Sequence, residues 1–381
     1  MNDRAVILAG SPLHNPWLYR RVPFAMVDPM AFIKIPSAGS FAILRDIEME
    51  RFKAANITDH ACCPADYPPA GGLSGDRETA TAQAAAELLA GRAVAEVWTD
   101  RSLPMIFAHY LTQRGIGVRC DPAMGVLARR AKSQDEVEHL RAAQSLTEQA
   151  IRFACERIAS ARAGASGVLE KDGETLTSRS VMAEINVWLL KHGMATCDSI
   201  VAGGPAGADC HDRGSGPLRT GEPIIIDVFP MHSGSRYFGD CTRTVVHGEI
   251  PPVVAQMHAA VARAKVDAIA ATRAGVTGEE VHAVTAEAIR GAGYAMGLPG
   301  PDDPDSYTAM VHGTGHGVGL EVHEPPLLDV GGPELVVGDC LTIEPGLYCR
   351  AVGGVRLEDM VIVTEDGCEN LNSIPEGLAW A

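Results

Sequence analysis

The stretch GEPIIIDVFPMHSGSRYFGDCTRTVVHG, residues 221–248, decides the fold class of the second part of the chain. The apolar run 224–226 ends abruptly at Asp227, and Asp240 opens a second run that alternates in polarity up to Val246. Such runs, joined by a glycine-containing turn, predict two β-strands. An aspartate at the end of a buried strand needs a partner, because an unpaired buried carboxylate is costly. Turn capping is the plain alternative for both aspartates.

Two further carboxylates occupy comparable positions. Glu344 in CLTIEPGLYC (340–349) follows an apolar run and precedes a Pro-Gly turn. Glu358 in GGVRLEDMVIV (353–363) shares one face of a predicted strand with Arg356. An arginine–glutamate pair on a half-exposed strand is the plain alternative for Glu358.

A glycine-rich stretch, HGTGHGVGLEVHE (312–324), supplies histidines to this set. Four carboxylates brought together repel one another unless cations intervene, and two divalent ions would balance them. His316 lies between two glycines, so its imidazole can come close to such an ion. Carboxylates with a single imidazole favour Mn, Co, Fe or Zn over a thiolate-bound ion. A phosphate-binding glycine loop is excluded, because Val318 stands where the third glycine is required.

The length of 381 residues predicts two domains, which we place at 1–131 and 132–381. The first part alternates predicted helices and strands, which indicates an α/β domain with a largely parallel or mixed sheet. Its predicted elements are a helix over 79–92, a strand over 95–100, and a helix followed by a strand within 104–120.

The second part is predicted to be α+β, because its helices are separated from antiparallel-looking strands. A boundary helix over 132–158 opens with the capping-box pattern Ser133-x-x-Glu136. Further helices are predicted over 177–192, after Pro252, and from the capping box at Thr277 to about 291. The predicted β runs are 222–229, 241–247, 341–349 and 354–364.

Composition excludes several classes of protein. Lys plus Arg total 32 against 48 Asp plus Glu, a formal net charge of −16, so nucleic acid is not an expected partner. The ten cysteines include no CxxC pair and suggest a reducing, cytoplasmic setting. No signal peptide and no membrane span are expected, because no sufficiently long apolar run occurs.

Taken in order, these motifs resemble the M24 metallopeptidases with the pita-bread fold, which include methionine aminopeptidase, aminopeptidase P and prolidase. The resemblance covers about 134–364 well, and the first domain is similar more loosely to the creatinase/prolidase N-terminal domain. It implies a dinuclear site for two divalent ions, with Mn²⁺ or Co²⁺ expected and Zn²⁺ or Fe²⁺ as alternatives. The implied metal ligands are Asp227, Asp240, His316, Glu344 and Glu358.

The same resemblance assigns roles around the metals. Asp240 and Glu358 would bridge the ions, Asp227 would complete one ion, and His316 with Glu344 would complete the other. Glu344 is the implied proton shuttle, while His211 and His323 would donate hydrogen bonds to the substrate. Arg356 is expected to orient the neighbouring glutamate. A structural role is expected for His312.

The resemblance implies hydrolysis of the Xaa-Pro bond of dipeptides or short peptides through a metal-bridging hydroxide. A homodimer is expected from the creatinase-like relatives. The free carboxylate of a dipeptide would need a cation, for which Arg350 and Arg356 are candidates. The chain departs from the family pattern in one place: twelve residues separate the two aspartates instead of ten, and Phe229-Pro230 replace a glycine. This departure keeps an M24-type hydrolase or lyase acting on a non-peptide metabolite as an alternative. A non-catalytic binding protein on the same fold is a second alternative, against which the five intact ligands argue.

Overall fold

The computed structural model describes residues 4–380. They divide into two compact units, one ending at Arg129 and the other beginning at Arg130. This division falls two residues before the boundary that the sequence predicts at 131. No helix in the described range is long and apolar enough to cross a membrane.

The first unit is a mixed α/β layer. Its strands are β1 (Val6–Gly10), β2 (Met30–Ile35), β3 (Gly39–Ile43), β4 (His60–Cys62), β5 (Glu96–Thr99) and β6 (Gly117–Cys120). Its helices are α1 (Pro16–Arg21), α2 (Met49–Ala55), α3 (Arg77–Ala90), α4 (Met105–Gln113) and α5 (Val126–Arg130). The sheet order is β4-β3-β2-β1-β5-β6, antiparallel within β1–β2–β3 and parallel at its other pairings. The predicted mixed sheet is confirmed.

The second unit contains the remaining elements. Its helices are α6 (Gln134–Ala159), α7 (Ser178–Lys191), α8 (Pro252–Ala271) and α9 (Gly278–Gly291). Its short strands before and among these helices are β7 (Arg162–Ala163), β8 (Leu169–Lys171), β9 (Glu174–Thr175), β10 (Ile200–Gly203), β11 (Pro223–Val228) and β12 (Cys241–Val246). After α9 come β13 (Ala295–Met296), β14 (Thr308–Met310), β15 (Gly315–Gly317), β16 (Glu324–Leu328), β17 (Cys340–Ile343), β18 (Gly346–Cys349), β19 (Gly353–Arg356), β20 (Asp359–Val363) and β21 (Cys368–Asn370).

Local sequence explains where the long helices begin. Ser133 caps α6 by accepting from the Glu136 amide, and the Glu136 carboxylate accepts from the Ser133 amide, so both halves of the predicted capping box form. Thr277 and Glu280 form the same box at the start of α9. One apolar face of α6 then packs against β11 and β12 in a shared buried core. The sequence therefore places α6 directly behind the hairpin that carries the two aspartates.

The strands of the second unit form several sheets, and consecutive strands of the chain can belong to different sheets. β11 pairs antiparallel with both β10 and β12. A second sheet has the order β16-β15-β17-β20-β21, and a third has the order β13-β14-β18-β19. The α+β class is confirmed.

The predicted β run 341–349 divides at the expected Pro-Gly turn, whereas the prediction of one strand passing through Glu358 is wrong. β17 pairs with β20 in one sheet, whereas β18 pairs with β19 in the other. Each run therefore changes sheet at its middle, and the two breaks lie opposite each other. Glu344 lies at one break and Glu358 at the other. Glu358 is thus not inside a strand, and the sheet exchange brings both glutamates to the same place.

A buried cluster of charged side chains holds the chain in place at the second break, beside Glu358. Asp359 accepts from Arg243 Nη2 at 2.8 Å and also contacts Lys265, whose Nζ lies 2.6 Å from Glu376. The side chains of Arg243, Lys265 and Asp359 are at most 2% exposed. Although burial raises it, the pKa of Asp359 is held below its usual range by Lys265 and Arg243. Arg243 also donates to the backbone carbonyl of Glu358 at 2.6 Å, so the cluster positions that glutamate.

Replacing Asp359 with asparagine tests how much this cluster contributes to the stability of the second unit. Asp359→Asn leaves two buried cations with one carboxylate, and we expect the free energy of unfolding of this unit to fall by about 3–5 kcal/mol. Urea denaturation measures the change. Asp267→Asn, which removes the exposed α8 ion pair with Arg263, is the matched control and should scarcely alter the transition. Equal, small effects of both substitutions would contradict this role for the cluster.

Candidate metal centre

The predicted ligands all line one cavity of about 400 Å³. Ligand atoms of Asp240, His316 and Glu358 all lie within 4.8 Å of one another. Asp227 and Glu344 line the same cavity. The five side chains come from the end of β11, the residue before β12, the middle of β15 and the two sheet-exchange breaks. The structure therefore brings all five predicted residues together.

The tautomer of His316 suits metal binding. Its Nδ1 lies 3.1 Å from the Gly317 carbonyl, which can only accept, so Nδ1 carries the proton. Its Nε2 then presents a lone pair towards oxygen atoms of Glu344 at 3.4 Å and Asp240 at 3.8 Å. Burial lowers the pKa of His316, which disfavours a second proton on the ring. A cation between Nε2 and these oxygens would satisfy all three groups.

Asp227 also carries an unsatisfied acceptor. Its Oδ2 accepts from Arg356 Nη2 at 2.7 Å. Its buried Oδ1 has no hydrogen-bond partner among residues 4–380. A buried carboxylate oxygen without a donor is costly, and a bound cation removes that cost. The orphaned oxygen therefore fits a metal ligand.

Two threonine hydroxyl groups orient ligands through the same pattern of hydrogen bonds. Thr342 Oγ1 accepts from the His316 amide at 3.0 Å and lies 3.3 Å from Glu344 Oε1, to which it donates. Thr242 Oγ1 lies 3.3 Å from Arg356 Nε and donates to Glu358 Oε2 at 2.7 Å. Each hydroxyl thus accepts from one group and donates to a carboxylate, which fixes the orientation of that carboxylate.

A glutamine on α6 clamps Asp240. Gln144 Oε1 accepts from the Asp240 amide at 2.8 Å, and Gln144 Nε2 donates to the Asp240 carbonyl at 2.7 Å. Because both backbone groups of Asp240 are held, its carboxylate is directed from a rigid position. Through Gln144, helix α6 thereby contacts one of the predicted metal ligands directly.

Burial and the crowding of negative charge together set the pKa values of these carboxyl groups. Burial, followed by the neighbouring carboxylates, raises the pKa of Asp240 and of Glu358 well above the usual range. Burial also raises the pKa of Glu344, against the opposing influence of His312 and Arg356. Arg356 contributes one positive charge to four carboxylates. The residues present therefore fit a centre whose remaining charge is balanced by divalent cations.

Glycines allow β15 to lie close to its neighbours. A Cβ at Gly315 would lie 2.0 Å from the Thr342 carbonyl oxygen, and one at Gly317 would lie 2.5 Å from the Glu324 carbonyl oxygen. Only glycine fits such approaches, which explains the glycine-rich stretch around His316. Glu324 itself forms an ion pair with Lys132 at 2.6 Å, and each of these side chains is 2% exposed. This buried pair holds the end of the loop that carries His323.

The other predicted histidines also reach the cavity. His211 and His323 both line it, and the His323 ring packs edge-on against His316 with centroids 4.2 Å apart. Burial, followed by the neighbouring His316, lowers the pKa of His323, which favours a neutral ring.

His312 lies in a relay of hydrogen bonds at the cavity wall. Arg356 Nη1 donates to the Tyr348 hydroxyl at 2.9 Å, the hydroxyl donates to His312 Nε2 at 2.7 Å, and His312 Nδ1 donates to the Gly313 carbonyl at 2.7 Å. Both ring nitrogens of His312 are therefore engaged within the protein.

Two expectations for arginines need correction. Arg356 pairs with Asp227 and Tyr348, and it reaches Glu358 only through Thr242. It therefore orients Asp227 directly rather than the neighbouring glutamate. Arg350 is exposed and is not among the residues that line the cavity.

A protein-family model described as metallopeptidase family M24 matches residues 138–365. The chain belongs to this family. A probable dipeptidase, PepE, of Mycobacterium tuberculosis is 31% identical over 357 residues, which cover 92% of this chain and 85% of that protein. A Xaa-Pro dipeptidase of Pyrococcus furiosus is 29% identical over 244 residues, covering 63% of this chain and 62% of that protein.

Structural comparison agrees with the family match. The solved structure of a Xaa-Pro dipeptidase from Bacillus anthracis superposes with a TM-score of 0.81 at 22% identity, covering 98% of this chain and 94% of that one. The pita-bread fold predicted from the resemblance is confirmed. This M24 chain is a metal-dependent peptidase, which excludes the non-catalytic alternative.

The sequence analysis did not identify several residues that orient the predicted metal ligands. Thr242 and Thr342 each lie in a strand, two positions from a ligand that stands just outside that strand, so strand periodicity could have identified them. Gln144 and the pair formed by Lys132 and Glu324 act across long separations in the chain. No local pattern marks such contacts.

Proposed function

We propose that the chain hydrolyses the Xaa-Pro bond of dipeptides or short peptides at a dinuclear metal site. The observation that carries the proposal is the meeting of three buried carboxylates, the partly buried Glu344 carboxylate and the Nε2 lone pair of His316 in one cavity. The relatives named as dipeptidase and Xaa-Pro dipeptidase support the choice of substrate.

The ligand set fits two divalent ions. Asp227, Asp240, His316, Glu344 and Glu358 would hold them. Oxygen-rich ligation with one imidazole favours Mn²⁺ or Co²⁺, with Zn²⁺ or Fe²⁺ as alternatives. Such ions, when bound, polarise a carbonyl group and lower the pKa of water.

The protein side chains supply the remaining chemistry. The nitrogen of a Xaa-Pro bond carries no hydrogen, so it must gain a proton to leave as an amine. Glu344 lines the cavity and is the proposed carrier of that proton. His323 and His211 are proposed to donate N–H hydrogen bonds to the substrate carbonyl as negative charge develops on its oxygen. Arg356 holds Asp227 in place for this chemistry.

The cavity wall suits an apolar ring beside the ionic centre. Ile200, Phe229, Val322 and Leu327 line it together with the ligands. Phe229 belongs to the turn that is two residues longer than the family pattern, so this turn contributes directly to substrate choice. The family match and the dipeptidase relatives favour a peptide over the non-peptide metabolite that the longer turn left open.

The contacts of Arg356 bear on whether the substrate is a dipeptide or a longer peptide. Among the cavity-lining residues within 4–380, Arg356 is the one Lys or Arg side chain, and both ends of its guanidinium are engaged. The free carboxylate of a dipeptide therefore finds no uncommitted cation in this set. The observation favours a peptide that continues beyond proline.

Cellular setting and assembly belong to the same proposal. We infer a cytoplasmic homodimer, as the sequence and its resemblance imply. The ten cysteines are all free in the described range, which suits a reducing compartment.

A small substrate panel tests the reaction. Purified protein loaded with Mn²⁺ or Co²⁺ should cleave Ala-Pro-Ala at the Ala-Pro bond at least as efficiently as Ala-Pro, and should leave Ala-Ala intact. Chromatography of the released amino acids gives kcat/KM for each peptide. If protein shown to contain metal cleaves none of them, the peptide proposal is wrong and small amide metabolites become the substrates to test.

A histidine variant tests the substrate contacts. We expect His323→Ala to lower kcat/KM for the cleaved peptide by about 10²–10³-fold, because one donor to the developing oxyanion is lost. Metal content, measured by mass spectrometry, should stay at the wild-type value. The exposed His139, which lies on α6, gives the matched control His139→Ala, with activity close to wild type. Loss of metal together with activity in His323→Ala would instead make this histidine part of the metal centre.

A further inference from the structure

Three possible metal ligands of three chemical kinds follow one another between β10 and β11. They are the carboxylate of Asp209, the thiol of Cys210 and the imidazole of His211, and their ligand atoms all lie within 4.8 Å of one another. Cys210 and His211 also line the cavity, and Asp209 and His211 are exposed. None of the three belongs to the carboxylate-rich centre described above.

The spacing of the sulfur and nitrogen atoms matches tetrahedral zinc. Zinc bonds of about 2.3 Å to sulfur and 2.0–2.1 Å to nitrogen, at a tetrahedral angle, place the two ligand atoms about 3.6 Å apart. The Cys210 Sγ and His211 Nδ1 atoms are 3.8 Å apart. An ion can therefore bind both atoms with only a small movement of the two side chains.

The surrounding contacts hold this loop in place. The Cys210 carbonyl accepts from Arg356 Nη1 at 3.3 Å, and the Asp209 carboxylate accepts from the His211 amide at 2.9 Å. A thiolate ligand selects a softer metal than the oxygen-rich centre does, so the two sites differ in the ion that they prefer.

We propose that Asp209, Cys210 and His211 bind one zinc ion at the mouth of the cavity and that this ion inhibits the enzyme. Binding forms a bond from zinc to the Cys210 sulfur and releases the thiol proton to solvent. A solvent molecule fills the remaining coordination position. The bound ion removes His211 from the substrate. The binding step rests on the loop alone, whereas inhibition rests on the proposed function of His211.

Cobalt spectroscopy tests binding without any substrate. Mn²⁺-loaded protein titrated with Co²⁺ should develop a near-ultraviolet thiolate-to-cobalt charge-transfer band, which cobalt bound by oxygen and nitrogen ligands does not give. Cys210→Ser should abolish the band, and Asp209→Asn should shift its titration to higher Co²⁺. The exposed thiol of Cys120 provides the control Cys120→Ser, which should keep the band. Absence of the band in wild type, or its persistence in Cys210→Ser, overturns the site.

Zinc inhibition tests the consequence. With Mn²⁺ held constant, Zn²⁺ should inhibit cleavage of Ala-Pro-Ala, and Cys210→Ser should raise the half-inhibiting concentration at least about tenfold through loss of the thiolate. Equal inhibition of both proteins would place the inhibitory ion in the carboxylate centre and overturn the regulatory role. If no peptide is cleaved, the proposed function fails while the cobalt band still decides whether the site exists.

Discussion

The structure of the second unit depends on keeping four carboxylates, three buried and one partly buried, in one place. Like charges at this separation oppose folding, so the surrounding protein must hold each carboxylate against repulsion and leave the remaining charge to bound cations. Arg356 neutralises part of this charge by pairing with Asp227. The raised pKa values of Asp240, Glu344 and Glu358 reflect burial together with the charge that remains.

The fold meets this constraint by bringing backbone segments from different sheets to one point. The exchange of strands between sheets places Glu344 and Glu358 opposite each other, and the hairpin held by α6 supplies the aspartates. The neighbouring cluster around Asp359 balances its own charges and anchors Glu358 through its backbone. With two cations and two carboxylates, this cluster therefore adds no net charge beside the cavity.

Sequence patterns predicted the α/β and α+β classes, the capping boxes and the five residues that meet at the cavity. These features follow from local periodicity and from motifs in a fixed order. The Pro-Gly turn after Glu344 was predicted. The break at Glu358 and the exchange of sheets were not, because a strand that changes sheet keeps its alternation of side chains. The direct partner of Arg356 was also missed, since contacts between distant segments leave no local pattern.

The most direct test is anomalous X-ray diffraction from crystals of the Mn²⁺-loaded protein, recorded at the manganese absorption edge. The account predicts two anomalous peaks in the cavity, with Asp227 Oδ1 bound to one ion and His316 Nε2 bound to the other. Crystals of Asp227→Asn should lose or weaken the first peak selectively. An unoccupied cavity in protein saturated with Mn²⁺, or ions bound away from these five residues, would contradict the account.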